Sequence, residues 1–540
     1  MDKTEILIAG AGPVGLTAAI ELARRGIACR IVDPLLEAPP YAKAVGVQPR
    51  TLEIFEGMGV LHPILDAAVP LRGQMVCING RMSSPFELPL PADVPFGFIA
   101  IPQYETERVL AEALAMRGVV IERGLRLTAF AQDVDGVTAT LSGGAGESEL
   151  RCRYLIGADG AHSLVRKSLG LSFEGAAFDE QYMLGDLEVD WALPHDHVLR
   201  SMHQSEGRTD DVLVCVPLPG RGRYRMSMRV ADDLATGGRG AVDGVAHGFE
   251  GSRKPELHHI QAVLDRLSPE PVEARNLRWS SVFSISHRIV NAYARGRVFV
   301  AGDAAHVHPP TGAQGMNTGI HDAHNLAWKL ALAVRGEAAP ALLDSYDAER
   351  RPIGEEVVGR TVQSARAGIG ADSNDPGFIV RREAQLLISY AGSPIVARTR
   401  DDSGGPQPGS RAPDAGGLTR DAVRAPMRLY SLLGGGEHTA LFYASEALDA
   451  RAAAALESTA QALREAAFGR IEIYLVAAAG EHVAATRLPL MRDTQGEFAH
   501  GYATTGLSAF VVRPDGYLGM AMRGTLVTQD LQAHLKATFG

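Results

Sequence analysis

The stretch that decides the fold is Ile6-Leu7-Ile8-Ala9-Gly10-Ala11-Gly12-Pro13-Val14-Gly15. Its first four residues form an apolar run that is typical of a buried strand in a parallel sheet. Residues 16–25 carry apolar side chains at helical spacing, and Gly26 ends the predicted helix. A second apolar run, residues 28–32, leads to Asp33. A strand, a Gly-x-Gly-x-x-Gly turn, a helix and a second strand ending in an acid predict a dinucleotide-binding βαβ unit.

The glycines of this turn have separate physical roles. Gly10 permits the tight turn, Gly12 lets the backbone approach a pyrophosphate, and Gly15 lets helix and strand pack closely. The phosphates would lie on free N–H groups at the helix N-terminus, and Asp33 would accept hydrogen bonds from a ribose. The residues assigned to this contact are Gly10, Ala11, Gly12, Pro13, Val14, Gly15 and Asp33. The glycines alone do not distinguish NAD from FAD.

The composition is that of a large globular chain. Its 540 residues suffice for about three or four domains, and 46% hydrophobic with 21% charged residues excludes a disordered chain. The formal net charge of −10 leaves no clustered excess of Lys and Arg for nucleic acid or an anionic membrane.

The apolar runs and the cysteines indicate where the protein is located and whether it binds a metal. No run approaches the ~18–20 apolar residues that cross a bilayer, and the first strand is too short for a secretory signal. The four cysteines, Cys29, Cys77, Cys152 and Cys215, stand singly. We therefore expect neither a disulfide framework nor a metal site, and we predict a cytoplasmic location.

Pattern changes along the chain predict its domain organisation. Residues 180–275 alternate like an antiparallel sheet, and we place them as a substrate-binding domain inserted into a nucleotide-binding domain made of residues 1–180 and 275–400. The Gly- and Pro-rich residues 400–415 are predicted to be a linker. Residues 415–540 form a compact α/β segment beyond it.

Two further motifs complete a specific set: Gly157-Ala158-Asp159-Gly160 and Gly302-Asp303-Ala304-Ala305-His306. With the first glycine turn, and in this order, they resemble the dinucleotide fingerprint, the "DG" motif and the "GD" motif of single-component (class A) flavoprotein aromatic hydroxylases, the family of p-hydroxybenzoate and phenol hydroxylases. The resemblance covers residues 3–360 and implies a Rossmann-like FAD-binding α/β domain of the p-hydroxybenzoate-hydroxylase type.

The tail after residue 405 resembles the thioredoxin-like C-terminal domain of one branch of that family. This branch contains phenol, 3-(3-hydroxyphenyl)propionate and polyketide hydroxylases. The tail has no cysteine pair, so we interpret it as a packing or dimerisation surface and not as a redox site. A homodimer is therefore the expected assembly.

The resemblance implies FAD, and it assigns cofactor contacts residue by residue. Asp303 follows a strand at the crevice where α/β folds bind ligands, and its carboxylate would accept a ribityl hydroxyl. The other matched positions are Arg50 at the pyrophosphate with Lys43 beside it, Gln103 at the ribityl chain, and Asp159 at phosphate-side waters with Arg166 steadying it. The remaining assigned residues are Leu127, Gly302, Gly315, Met316 and Asn317.

The turn at residues 309–317 opens the helix that would face the flavin. The N–H groups and positive dipole end of this helix would lie near flavin N1 and C2=O and stabilise the anionic reduced flavin. The flavin-proximal residues assigned to catalysis are Pro309, Gly312 and Met316. His306 and His308, in the same turn, are interpreted mainly as structural hydrogen-bonding groups.

The reaction that the resemblance implies has two halves. NADPH or NADH reduces FAD, and O2 then gives a flavin C4a-hydroperoxide, whose outer oxygen goes to an aromatic ring carbon of a phenolic or polycyclic polyketide substrate. The protein supplies orientation, electrostatics and a dry site. The base of the phenol-hydroxylase branch, an aspartate, aligns with Val45, so another base or a pre-activated substrate stays open.

The predicted substrate pocket is largely apolar, which suits a bulky aromatic ligand. Its candidates are Val45, Val47, Val214, Val216, Tyr224, Met226, Met228, Phe283 and Pro309. The candidate polar contacts are His203, Tyr224 and Arg225.

Other functions share this scaffold. A Baeyer–Villiger or antibiotic-inactivating monooxygenase would use the same motifs with another substrate pose. A flavin-dependent halogenase is disfavoured because its Trp-x-Trp-x-Ile-Pro motif is missing and the tryptophans stand alone at positions 191, 279 and 328. An alternative of another class is a non-catalytic protein that binds FAD or a ligand. Substrate identity, regiochemistry and the choice between NADH and NADPH stay open.

Overall fold

The computed structural model describes residues 2–40, 43–83, 85–87, 89–91, 93–206, 208–235, 245, 248–250, 254–367, 373, 375–398, 402–504 and 506–540. The strands are β1 (Asp2–Ala9), β2 (Cys29–Asp33), β3 (Gly46–Val47), β4 (Val69–Leu71), β5 (Gly73–Ile78), β6 (Arg81–Met82), β7 (Phe86–Glu87), β8 (Phe98–Ala100), β9 (Ile121–Arg123), β10 (Arg126–Gln132), β11 (Val137–Gly143), β12 (Gly146–Gly157), β13 (Phe173–Val189), β14 (His197–Ser205), β15 (Arg208–Pro217), β16 (Arg223–Arg229), β17 (Gly248–Glu250), β18 (Ala274–Val290), β19 (Ala294–Arg295), β20 (Val298–Val300), β21 (His306–Val307), β22 (Leu418–Arg420), β23 (Val423–Met427), β24 (His438–Ala444), β25 (Ile471–Ala478), β26 (Leu490–Asp493), β27 (Leu507–Val512) and β28 (Leu518–Met522). The helices are α1 (Pro13–Ala23), α2 (Pro49–Met58), α3 (Leu61–Asp66), α4 (Gln103–Ala115), α5 (Leu164–Ser168), α6 (Leu257–Leu267), α7 (Gln314–Arg335), α8 (Asp344–Ala367), α9 (Pro376–Glu383), α10 (Tyr430–Leu433), α11 (Ala450–Ala466), α12 (Glu497–Tyr502) and α13 (Thr528–Leu535), with short 3-10 turns at Gly302–Ala304 and Thr311–Ala313.

The first sheet confirms the predicted α/β fold. Its central strands run in the order β12-β1-β2-β9 and are parallel, and β20 lies parallel to β12 on a branch. β1, α1 and β2 form the predicted βαβ unit. A Cβ atom on Gly15 would lie 1.9 Å from the Gly10 carbonyl oxygen, so only glycine allows this contact between helix and turn.

The second sheet has ten strands, with β17-β18-β13-β16-β15-β14-β5-β6 in sequence and α6 packed on one face. It also takes in β5 to β7, which the predicted boundaries assign to the nucleotide-binding domain. β5 pairs in parallel with β14, more than a hundred residues later in the chain. Such a pairing has no local turn signal, which explains why sequence patterns miss it.

The C-terminal domain contains a seven-stranded sheet in the order β23-β22-β26-β25-β24-β27-β28. The unit β24–α11–β25 is parallel, and β27 and β28 form an antiparallel hairpin that is followed by α13. A βαβ unit, a hairpin and a final helix agree with the thioredoxin-like arrangement, which stays a prediction.

The predicted linker is a packed segment over most of its length. Residues 399–401 lie outside the described residues, but from residue 408 to 415 the side chains are buried or half-buried. Gly409 N–H donates to the Leu518 carbonyl at 2.7 Å, and Arg411 forms a β-bridge with Tyr517. The glycine and proline content correctly indicates that this segment has no regular helix or strand, but it does not indicate that the segment is exposed to solvent.

The turn between β27 and β28 docks the C-terminal domain on α7 and α8. Arg513 donates to both carboxylate oxygens of Glu349, at 2.7 and 2.8 Å, and Lys329 Nζ lies 2.7 Å from Glu349 Oε2. Asp515 accepts from Asn325 at 3.0 Å and pairs with Arg513. These ionic side chains are at most 2% exposed, so the domains share one buried charge network.

Candidate active site

The three motifs meet in one cavity of about 540 Å³. It extends from the glycine turn of β1 and α1, past the turn after β12, to the turn after β20 and the start of α7. Gly12, Asp159 and Asp303 all line it. Phe283 of β18 closes one side, so the cavity reaches the second sheet.

The glycine turn leaves room for a nucleotide. Gly10 has φ +103°, and a Cβ atom there would lie 2.3 Å from the Ala158 carbonyl oxygen. Gly12 precedes α1, and a Cβ atom there would meet no atom within 4 Å. Gly10 to Val14 line the cavity, whereas Gly15 lies behind the turn as the packing glycine. The N-terminus of α1 beside this open space fits a pyrophosphate.

Asp33 organises the same turn while it lines the cavity. Its Oδ2 accepts from Ala11 N–H and its Oδ1 from Leu35 N–H, both at 2.9 Å. Arg123 Nη1 lies 3.2 Å from Asp33 Oδ1. Arg123 and Arg126 also line the cavity, as does the predicted Leu127. Sequence analysis does not identify these arginines, because β9 and β10 carry no nucleotide motif.

Asp159 has one carboxylate oxygen left for a ligand. Oδ2 accepts from Val165 N–H at 3.1 Å, while Oδ1 is buried without a hydrogen-bond partner. Burial raises the pKa of Asp159. Arg166 donates to the carbonyls of Ala161 and Ala304 at 2.7 and 3.2 Å, so it ties the DG turn to the GD turn. A buried carboxylate oxygen without a donor fits a hydroxyl or bound water of a nucleotide.

The turn that carries Asp303 is held in place by the buried Asp322 of α7. Gly302 has φ +61°, and its N–H donates to Asp322 Oδ2 at 3.1 Å. Asp322 also contacts His306 Nε2 at 2.9 Å and accepts from Arg350 Nε at 2.7 Å. His306 is thus a buried structural group behind the cavity. Asp322 was not identified from sequence, although it lies eight residues into the predicted flavin-facing helix.

The loop before α7 reaches the cavity at two of the predicted residues and at neighbours of others. Pro310, Ala313, Gly315 and Met316 line it together with His308, whereas Pro309, Gly302, Gly312 and Asn317 do not. The Gly312 carbonyl accepts from Gln48 Nε2 at 2.6 Å.

Asn317 supports this loop from behind. Its Nδ2 donates to the carbonyls of Gly46 and Ala313 at 3.0 and 2.7 Å, and its Oδ1 accepts from Gln48 N–H at 3.0 Å. The side chain therefore joins β3 to the loop and does not line the cavity, so its cofactor contact stays a prediction. The first turn of α7 still presents Gly315 and Met316 to the cavity, as the dipole argument requires.

The segment before β3 forms the opposite wall. Lys43 and Val45 line the cavity, and Ala44 N–H donates to Gln103 Oε1 at 3.0 Å. Gln103 also lines the cavity and donates to Glu107 at 2.8 Å. Val47 points into the hydrophobic core and is 1% exposed, so it is not a pocket residue.

Arg50, which is predicted to lie at the pyrophosphate, does not line the cavity. It is 2% exposed, and it donates to Glu53 at 2.6 Å and to the Asp515 carbonyl. Its guanidinium lies 5.2 Å from the Tyr517 ring centre. The position of Arg50 on α2 turns it toward the C-terminal domain and away from a pyrophosphate. The basic side chains at the cavity are those of Lys43, Arg123 and Arg126.

The strand register of the second sheet divides the predicted substrate residues between two faces. Met226 pairs with Cys215 and Met228 with Leu213, and all four pack in a core against α6. Tyr224 belongs to the same core. These three predicted pocket residues thus lie in a core and not at the cavity, because strand alternation shows which residues share a face but not which face the helix covers.

The opposite face, here called the inner face, is turned toward the cavity. It carries the half-buried Tyr182, Arg200, Val214 and Val216, together with the buried Leu184, Arg225 and Phe283. Arg225 is paired with Asp186, and its guanidinium lies 5.0 Å from the Trp279 ring centre. His203 is exposed and lies 2.6 Å from Asp210, away from the cavity.

The fold and the site define a class: a nucleotide-binding α/β oxidoreductase whose cofactor cavity is closed by a second sheet. The family model described as the FAD binding domain matches residues 3–361, and the chain belongs to this family. Its curated relatives make it a flavin-dependent monooxygenase that uses FAD. A flavin-dependent monooxygenase of Mycobacteroides abscessus is 33% identical over 82% of this chain and 89% of that protein.

Two tetracycline-pathway comparisons extend over the full length. The 12-dehydrotetracycline 5-monooxygenase/anhydrotetracycline 6-monooxygenase of Streptomyces rimosus subsp. rimosus is 30% identical, covering 100% of this chain and 99% of that protein. The structure of the anhydrotetracycline hydroxylase OxyS from Streptomyces rimosus is 27% identical with a TM-score of 0.75, covering 100% and 99%. A ternary complex of aklavinone-11 hydroxylase with FAD and aklavinone gives a TM-score of 0.78 at 25% identity, covering 99% of both chains.

In the part of the chain that the structure describes, none of the helices combines the length and apolar character that crossing a bilayer requires.

Proposed function

We propose that this monooxygenase inserts one oxygen atom of O2 into a phenolic or polycyclic aromatic substrate, with NAD(P)H as the reductant. The observation that carries the proposal is the single cavity in which Gly12, Asp159 and Asp303 meet and which ends at Phe283 of the second sheet. The relatives that act on anhydrotetracycline and aklavinone support an aromatic polyketide as the substrate class.

The residues divide the work of binding between them. Gly10 to Val14 would hold the pyrophosphate. Asp159 Oδ1 would accept a hydrogen bond from the cofactor, and Asp303 would accept one from a ribityl hydroxyl. Gly315 and Met316, at the positive end of α7, would face the flavin ring. FAD, when bound, supplies electron transfer from NAD(P)H and the activation of O2.

The wall near Phe283 would keep water out. Val45, Val307, Pro310 and Phe283 line this end of the cavity with apolar surface. Water exclusion matters because it suppresses wasteful side reactions of a reactive intermediate. Val45 supplies no base, so we expect substrates whose ring is already activated, such as phenols or enols that ionise near neutral pH.

The test is NAD(P)H oxidation by the purified, yellow protein in the presence of phenols, polycyclic quinones and polyketide aromatics. We expect at least one aromatic to accelerate oxidation and to carry one atom of ¹⁸O from ¹⁸O2 as a ring hydroxyl. A ring-expanded ester would instead indicate Baeyer–Villiger chemistry. Bound FAD with no acceleration by any ligand would support the non-catalytic alternative. The relatives favour neither alternative.

A homodimer and a cytoplasmic location stay predictions.

A further inference from the structure

The inner face of the second sheet carries a cation that the protein itself does not neutralise. Arg200 lies on β14 opposite Val214, while its neighbours Leu199 and Ser201 point to the α6 core. Its side chain is half-buried, and its Nε is buried without a hydrogen-bond partner. Within the described part of the chain, no carboxylate pairs with it.

An arginine in this state is costly unless it meets an anion. Burial lowers the pKa of Arg200, and the titratable group that opposes this effect is the Tyr182 hydroxyl. By contrast Arg225, on the same face, is matched by Asp186. The inner face also carries the exposed Arg229, which lies opposite Tyr182. Arg200 is thus the half-buried arginine of this face that no described carboxylate matches, and a buried donor without a partner is costly.

Tyr182 connects Arg200 to the cavity. It lies opposite Phe283 in the strand register and packs in the same apolar cluster, and Phe283 lines the cavity. Burial, together with Glu180, raises the pKa of the Tyr182 hydroxyl, and Arg229 and Arg200 oppose this shift. A flat ligand that leaves the flavin end at Phe283 would thus pass over Tyr182 toward Arg200.

We propose that Arg200 binds an anionic oxygen group of the aromatic substrate, a carboxylate or an ionised enol. This inference rests on the proposed function and names the substrate class more closely. A guanidinium offers a planar pair of N–H donors, which matches the two oxygens of a carboxylate or of an ionised 1,3-dicarbonyl. The anion supplies the charge that no described protein group provides.

The test uses the FAD-loaded protein and matched pairs of hydroxyarene carboxylates and their methyl esters, from two to four rings. Binding is read from the change in flavin absorbance. We expect the wild type to prefer the carboxylate, and Arg200→Met to weaken carboxylate binding by roughly 10- to 100-fold while ester binding stays unchanged. Arg200→Lys should retain an intermediate preference.

Arg266→Met is the matched control. Arg266 lies on α6, on the other side of the sheet, and pairs with Asp211 at 2.9 Å. This variant should keep the wild-type preference. Since Arg200→Met removes an uncompensated charge, it should also keep the wild-type Tm and FAD content, which a structural arginine would not.

The outcomes separate the two proposals. Equal carboxylate preference in the wild type and Arg200→Met, or no preference in the wild type, overturns the role of Arg200. A loss of ester and carboxylate binding together with a lower Tm also overturns it, because it indicates a structural role. If the FAD-loaded wild type binds no aromatic at all, the proposed function itself fails.

Discussion

The carboxylates around the cavity fall into two kinds. Asp33 and Asp322 use their oxygens on backbone N–H groups and arginines, so they shape the turns. Asp159 keeps one oxygen without a partner, and the Asp303 carboxylate accepts no hydrogen bond from the described residues. The carboxylates that bind the chain therefore hold in place the turns that carry the carboxylates available to a ligand.

Asp303→Ala should therefore lose FAD. The variant lacks the acceptor for a ribityl hydroxyl, and a hydrogen bond to a charged group contributes about 1.5–3 kcal/mol, so retention should fall at least tenfold. The visible absorbance of the purified protein measures this. Asp449→Ala, which removes the N-cap of α11 in the C-terminal domain, should stay yellow. A fully flavinated, active Asp303→Ala would refute the role.

A second residue-scale prediction concerns His438. It is 2% exposed between the rings of Trp328 and Phe539, and burial lowers its pKa to about 3. Below pH 6.5 His438 takes up a proton in the unfolded chain but not in the native state. The native state is therefore most stable above pH 6.5 with respect to this group, and it loses stability as the pH falls toward the folded pKa. Lowering the pH from 6.5 to 4.5 should reduce the free energy of unfolding by about 2–3 kcal/mol through His438.

His438→Phe should remove that acid sensitivity. Urea unfolding followed by tryptophan fluorescence at pH 7 and pH 4.5 gives the comparison, because other acid-sensitive groups contribute equally in both proteins. We expect the variant to gain about 2–3 kcal/mol relative to the wild type on acidification. Parallel pH dependences of the two proteins would show that His438 is not the group responsible.

How far site residues can be predicted depends on whether their geometry is local. The glycine turn, Asp159 and Asp303 were identified because each sits in a short motif that fixes its own turn. Arg50 could not be placed, since its partners come from Asp515 and Tyr517, far along the chain. The faces of Met226 and Met228 depend on α6, which also lies outside their local sequence.

At the scale of elements, the β27–β28 hairpin is a contact through which the C-terminal domain packs on the rest of the chain. Its turn places Arg513 and Asp515 against Glu349 of α8 and Asn325 of α7. α7 begins at the cavity and ends in this interface, so one helix joins the flavin end of the site to the charge network.

Arg513→Met should destabilise the protein strongly. It leaves Glu349 buried with only Lys329 as a counter-ion, and removing one partner of a buried pair costs about 3–5 kcal/mol. Arg470→Met is the control, because Arg470 pairs with Glu337 at a half-exposed part of the same interface and should cost less than about 1 kcal/mol. Urea unfolding measures both, and equal losses would contradict the network's role.

Elements were predictable where hydrophobic spacing and a turn residue coincide. The βαβ unit satisfies both conditions, and α1 starts at Pro13, three residues before the predicted helix. β5 satisfies neither, because its partner β14 is parallel and distant. The buried segment at residues 408–415 was misjudged because proline and glycine content reports backbone preference, while burial depends on β28 and α2.

For the whole molecule, the C-terminal domain completes the FAD-binding domain. Ending the chain at Gly405 would expose Trp328, remove Arg513 from Glu349, and remove the Asp515 carbonyl from Arg50. We expect the shortened protein to be insoluble or to lose FAD. Co-expression of residues 402–540 should restore soluble, yellow protein. An active, monodisperse shortened protein would show that the domain is dispensable.

The docked hairpin also has a consequence for synthesis on the ribosome. Glu349 and Arg513 are 164 residues apart in the chain, and Arg50 and Asp515 are 465 apart. During synthesis, Glu349 and Arg50 therefore stay without these partners until the β27–β28 hairpin leaves the ribosomal exit tunnel. Stable flavin loading should be a late, post-translational event, and a stalled translation product should be a client for chaperones rather than a partly working enzyme.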